Sequence, residues 1–265
     1  MRRQTEELGQ NNIIEKLSCF AKKNGIKQIN PAGICNTLTM LYILARENEF
    51  PAEYLLELDE MVERVGLPTQ PKMFNPPSRE WLLYTKYIHL AIFFQSEQPK
   101  FLSKSLSRVL RNQYALNMLL SETKSEDKFT DDIELKQSTS MEAATISKIN
   151  LDKNGLITLI KLIAQPKMRI KINPAGNQDN NRTIAMEFTG TDYIFFSSQF
   201  TDFVTKFNNI NALAEEIIKT MSLGNFFSIE VEIFSRLPIP AFDRIAFINQ
   251  MMLERKLVNK ASHSK

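Results

Sequence analysis

KMRIKINPAGNQDNNRTIAMEFTGTDYIFFSSQF, residues 167–200, is where the chain changes period. Three runs inside it, KMRIKIN, RTIAMEF and DYIFFSS, alternate at period 2 and are rich in Ile and Phe. Asn/Gly-rich turns separate them, the grammar of half-buried strands. A fourth run, FFSIEVEIF at 226–234, alternates more cleanly still, and a helix near Ile210 to Met221 precedes it. Antiparallel hairpin pairing follows from connections this short.

Upstream the spacing is helical. Residues 6–23 predict an amphipathic helix on Leu8, Ile13, Leu17, Phe20 and Ala21, stopped by Asn24-Gly25. A second helix runs from about Cys35 to Glu47, with Leu38, Leu41, Tyr42 and Ala45 on one face. Pro51 suits the first turn of a third, ending at Gly66. LPTQPKMFNPPS, with four prolines in twelve residues, is a loop; Ser78 then caps a helix to about Gln95, and another covers Phe101 to Leu120. Residues 121–140 have few large apolar side chains and many charges, predicting an exposed linker or flexible insertion. A helix near Leu156 to Ala164 and one from Phe242 to about Asn259, fading into KASHSK, complete the plan.

The result is an α+β chain and not a doubly wound parallel sheet. It comprises a helical subdomain (1–120), the linker (121–140) and an antiparallel sheet subdomain with a C-terminal helix (141–265), together one domain. INPAG occurs at 29–33 and 172–176 without matching flanks, and is read as turn chemistry in both places.

A length of 265 residues can bury a sizeable core, and 43% hydrophobic with 24% charged residues is ordinary for a globular protein. A net charge of +3, with only short basic clusters, predicts no nucleic-acid partner. Two cysteines and two histidines, His89 and His263, predict no disulfide framework, metal site or cofactor. No apolar run of eighteen residues is present, so no membrane span is expected, and the start MRRQTEELGQNN lacks a signal core.

Cys35 follows Pro31-Ala32-Gly33 at the mouth of an apolar helix, with Gln28 seven residues upstream. A helix N-terminus stabilises a thiolate, and its free N–H groups can hold an oxyanion. The layout Gln…Pro-x-Gly-x-Cys-Asn-x-Leu resembles the nucleophile segment of papain-like cysteine proteases. It is nearest the bacterial effector branch typified by YopT and AvrPphB, with related domains among Legionella-type effectors. Residues 182–200 resemble that family's strand, turn and aromatic strand, which in the family carry the catalytic histidine and aspartate.

The resemblance implies a papain-like fold with Cys35 at the nucleophile position and Gln28 as an oxyanion-hole donor. Thr183 (or its neighbour Arg182) then stands where the histidine belongs, and Ser197 where the aspartate belongs. On this alignment Cys35, Thr183 and Ser197 line one cleft wall. The resemblance also implies a secreted virulence effector, made in the bacterial cytoplasm and translocated into a host cell without an N-terminal signal peptide. Its partner would be a host protein or peptide.

Threonine cannot accept a proton near neutral pH, and serine cannot stabilise an imidazolium. An unassisted thiol is about 3% thiolate at pH 7. Losing nucleophile or base from a serine-protease triad costs on the order of a million-fold in turnover. A helix dipole, under about 1 kcal/mol, does not restore that. A pseudoenzyme that binds is therefore expected. The alternatives are an active cysteine hydrolase, deamidase or acyltransferase using Cys35 with an unforeseen base, and a non-enzymatic helical scaffold in which Cys35 is plain core. His89, on a helix apolar on most sides, is read as packed core, as is Cys19; His263 is read as part of a disordered tail. The acidic face Glu57, Asp59, Glu60 and Glu63 is read as solvated, and Asp131, Asp132 and Glu134 lack an EF-hand layout.

Overall fold

Helical and extended segments alternate as the two periods require. A computed structural model describes residues 8–30, 34–47, 66–72, 77–95, 142–175, 182–199 and 203–263. The elements are α1 (Leu8–Lys23), α2 (Ile34–Glu47), α3 (Arg79–Gln95), β1 (Glu142–Leu151), α4 (Lys153–Ile163), β2 (Arg169–Pro174), β3 (Ile184–Phe188), β4 (Tyr193–Ser197), β5 (Val204–Phe207), α5 (Ile210–Thr220), β6 (Phe227–Ser235) and α6 (Arg244–His263). The α+β class holds. The helices read at 51–66 and 101–120, the linker at 121–140 and both acidic clusters lie outside the described residues. The chain divides into two units, one of Met1–Met141 with Phe196–Thr205, the other of Glu142–Phe195 with Lys206–Lys265.

In the first unit α1, α2 and α3 pack on one another. α1 buries Ile13, Leu17, Phe20 and Ala21. It ends where Gly25 takes φ +64°, the amide of Ile26 donating to Ala21 O at 2.9 Å and that of Gly25 to Lys22 O at 3.5 Å. That bond pair is a Schellman cap, and it needs a residue free to turn left-handed. Phe20 meets Trp81 of α3 edge-on at 4.7 Å. α2 is buried on nearly every side, from Ile34 to Leu44, as a helix without a polar face must be.

The strands lie in the order β1-β6-β2-β3-β4-β5, of which β1, β6, β2 and β3 fall wholly in the second unit. β6 pairs antiparallel with both β1 and β2, and β2 with β3. Residues directly opposite share a face, so register builds one apolar layer from Ile184, Ile172, Val231 and Ile146 and another from Met186, Ile170 and Ile233. All seven of these side chains are buried. α4 carries Leu156, Leu159, Ile160 and Ile163 into the core, and α5 carries Leu213, Ala214 and Ile217.

Several expectations need correction. Two strands were not read from sequence, β1 and the four-residue β5. The second INPAG is strand, not turn, through Pro174, which pairs with Ile229. As the last residue of β2, Pro174 sits where its missing N–H disturbs the ladder least. α6 continues to His263 and does not fade at Asn259. Cys19 is exposed, because it falls off the Ile13/Leu17/Phe20 stripe of α1. His89 is exposed too. On α3 the stripe Leu82, Thr85 and His89, at i, i+3 and i+7, is the least buried, while Lys86 is 1% exposed with its ammonium 5.9 Å from the Tyr87 ring.

Candidate functional site

Cys35 occupies the first turn of α2 and is 4% exposed. A free N-terminus leaves the first four amides of a helix without intrahelical acceptors, which is why a thiol in that turn is a plausible anion position. Gln28 is exposed, in the irregular segment between α1 and α2. Pro31, Ala32 and Gly33 lie outside the described residues.

Ser197 ends β4 and is buried. Its amide donates to Phe203 O at 2.9 Å, and its Oγ accepts from the amide of Gln199 at 3.3 Å. The residue before it, Phe196, stacks on Tyr42 of α2, with centroids 4.6 Å apart and planes 10° from parallel. Tyr42 lies seven residues after Cys35, so the stack holds the end of β4 roughly 10 Å along α2 from that cysteine at 1.5 Å per residue. Phe195 and Phe196 are fully buried, as sheet-core residues.

Thr183 belongs to the second unit, just before β3, and is 6% exposed. Its Oγ1 donates to Asn173 Oδ1 at 2.9 Å. The pairing Ile172–Ile184 sets Asn173 opposite Thr183, and this partnership had no signal in the sequence short of knowing that register. The neighbouring Arg182 donates from Nη1 to Thr220 O at 2.9 Å and to Ser222 Oγ at 3.2 Å. It thereby caps the C-terminal end of α5, where a cation also meets the negative end of the helix dipole.

Chemically, positions 183 and 197 present hydroxyls, each engaged in a hydrogen bond. His89 is carried on α3, a helix. No group of three or more His, Cys, Asp or Glu side chains fit for a metal occurs among the described residues. No described helix is long and apolar enough to cross a membrane.

No protein-family model matches the chain, and no curated protein matches it. Among solved structures, the chain is similar to one described as the Pseudomonas avirulence protein AvrPphB. The two share 10% identity, over 76% of this chain and 91% of that one, with a TM-score of 0.38. Superposition at that level transfers no residue roles.

Proposed function

We propose that the chain is a papain-like, cysteine-protease-like bacterial effector that has lost catalysis and acts by binding a host protein. The observation that carries the reading is the state of the two positions the alignment makes decisive. Thr183 gives its hydroxyl proton to an amide oxygen, and the Ser197 hydroxyl accepts a backbone N–H. Neither is a group that takes up a proton near neutral pH or steadies an imidazolium. Gln28 and Cys35 keep the oxyanion-donor and nucleophile positions of the alignment. Export into a host cell follows from the same reading. The non-enzymatic scaffold is favoured by one observation of its own, the burial of Cys35, since free cysteine is among the most buried residue types.

Alkylation separates these readings. On a Cys19→Ser background, needed because Cys19 is exposed, iodoacetamide modification of Cys35 is followed by mass spectrometry across pH. A pseudoenzyme predicts a rate that climbs steeply between about pH 7 and 9, as for an unassisted thiol. A fast plateau at about pH 5–6 would reveal a Cys–His type pair and overturn the reading in favour of a live enzyme. Silence at every pH until denaturant is added would overturn it in favour of the scaffold.

A further inference from the structure

Among the described strands β1 stands first in the sheet and has a neighbour on one side only, β6. A strand paired on one side turns the N–H and C=O of every second residue outward, and that row is a template for another extended chain. Such edges are ordinarily blunted by a bulge, a proline or charged side chains, or are covered. The bulge blunts the second half of β1, where Arg244 Nη2 also holds the Lys148 carbonyl at 3.0 Å. The first half, 142–147, has no bulge and no proline, and its one charge is Glu142 at the start. Ala143 and Ala144 are small, and Thr145 is exposed. Among the described residues, hydrogen bonds reach this half from β6 and otherwise from the Ile239 amide, which donates to the Glu142 carboxylate at 3.3 Å.

We infer that the open half of β1 pairs antiparallel with β1 of a second copy about a two-fold axis at Thr145, joining two sheets into one. An open edge is filled by strand addition, and a two-fold contact needs a strand complementary to itself. About Thr145, Glu142 of each copy stands opposite Lys148 of the other, and the threonine stands opposite its own equivalent. Ala144 and Ile146, which partner Ile233 and Val231 on the core face, then oppose each other and extend the aliphatic layer. Opposite charges directly across a ladder stabilise it and like charges do the reverse. An axis at Ala144 or Ile146 would set Glu142 against Ile146 or Asn150 and leave both charges unmatched. In-register parallel pairing would set glutamate on glutamate and lysine on lysine. The other charges near this edge do not alter the order. Arg244 adds its charge beside Lys148. Glu232, opposite Thr145 on β6, is held by Lys171. Glu230 on β6 and Arg236, just past its end, lie one strand behind, about 10 Å from the second copy, roughly a Debye length in physiological salt. So short a ladder makes a weak dimer that depends on concentration, and it owes nothing to the protease-like reading.

Sedimentation equilibrium of the full chain, from low micromolar to several hundred micromolar, should show a reversible monomer–dimer equilibrium. Glu142→Lys alone, or Lys148→Glu alone, turns two attractive pairs per dimer into repulsive ones and should weaken association about tenfold. The double variant Glu142→Lys with Lys148→Glu should recover it to within about threefold, which a merely structural role for either side chain would not do. On the Cys19→Ser background, Thr145→Cys should oxidise readily to a disulfide-linked dimer, whereas Asn150→Cys, exposed but past the bulge, should not. A chain monomeric at every concentration overturns the inference. So does a dimer indifferent to the single charge reversals, a double variant no tighter than the singles, or equal cross-linking at 145 and 150. A monomer whose amides at 142–147 all resist hydrogen exchange would assign the edge to another segment of the same chain, which also overturns the dimer.

Discussion

Asp192 closes the turn between β3 and β4. The amide of Thr189 donates to its carbonyl at 2.9 Å, Thr191 Oγ1 donates to Oδ2 at 2.8 Å, and Lys206 reaches Oδ2 at 3.0 Å. Gly190 supplies the positive φ, +105°, at the first central position of this two-residue turn. The hydrogen bond from Lys206, and after it that from Thr191, holds the Asp192 carboxyl below its usual 3.8. A carboxylate depressed in the folded state stabilises above its unfolded pKa, and that contribution disappears as pH falls through the folded value. Wild type should therefore lose more stability than Asp192→Asn on acidification below about pH 4, with the two curves parallel above about pH 5. In an NMR titration the Asp192 midpoint should lie below 3.8 and rise in Lys206→Met. A midpoint unmoved by that substitution would discard the ion pair as its cause.

β1 shows how one extra residue can hide a strand. Ile146 pairs with Val231 but Ile149 with Ile229, so three steps along β1 match two along β6. Lys148 absorbs the surplus at φ +34°, and Arg244 Nη2 donates to its carbonyl at 3.0 Å. The bulge puts Ile146, Ile149 and Leu151 all in the core, although the first two are three apart. Without it, alternation would send Ile149 to the opposite face. Deleting Lys148 leaves two steps of β1 against two of β6 and keeps Ile146 and Ile149 on one face, so cooperative unfolding should survive it. Lys148→Gly should be neutral or stabilise by up to about 1 kcal/mol, since glycine accepts the positive φ that lysine tolerates poorly. Urea denaturation of both variants decides it, and loss of cooperative unfolding in the deletion would rule out Lys148 as the surplus residue of the register.

Where β2 meets β3 and β6, the face opposite the aliphatic layers carries two matched ion pairs. Arg169 pairs with Glu187 at 2.7 Å, on β2 and β3, with side chains 12% and 3% exposed. Lys171 pairs with Glu232 at 3.2 Å, on β2 and β6. Both are directly opposed residues in the register, so strand pairing itself brings the charges together. Removing one member of a buried pair strands the other in low dielectric. Glu187→Gln should thus cost about 3–5 kcal/mol, whereas Arg169→Met with Glu187→Leu should recover most of that loss. If the single substitution proves near neutral by chemical denaturation, water reaches the pair and its burial is not what binds it.

The sequence alone determined the α+β class, the described helices to within a few residues, and the strands β2, β3, β4 and β6. Each of these announces itself through the periodicity of its own side chains. The Asn24-Gly25 stop was equally legible, because a left-handed cap depends on the residue that adopts it. Tertiary structure decided the rest. β1 is a strand because β6 supplies its ladder and its bulge, and neither leaves a period-2 trace in residues 142–151. Lys86 is buried and His89 exposed because the choice among faces of a nearly apolar helix belongs to the neighbours that pack on it. The candidate site divides the same way. Cys35 at a helix start and the hydroxyls at 183 and 197 could be read directly from the chain. That Thr183 is held by Asn173 required two residues ten apart to be brought opposite each other, and only strand register does that.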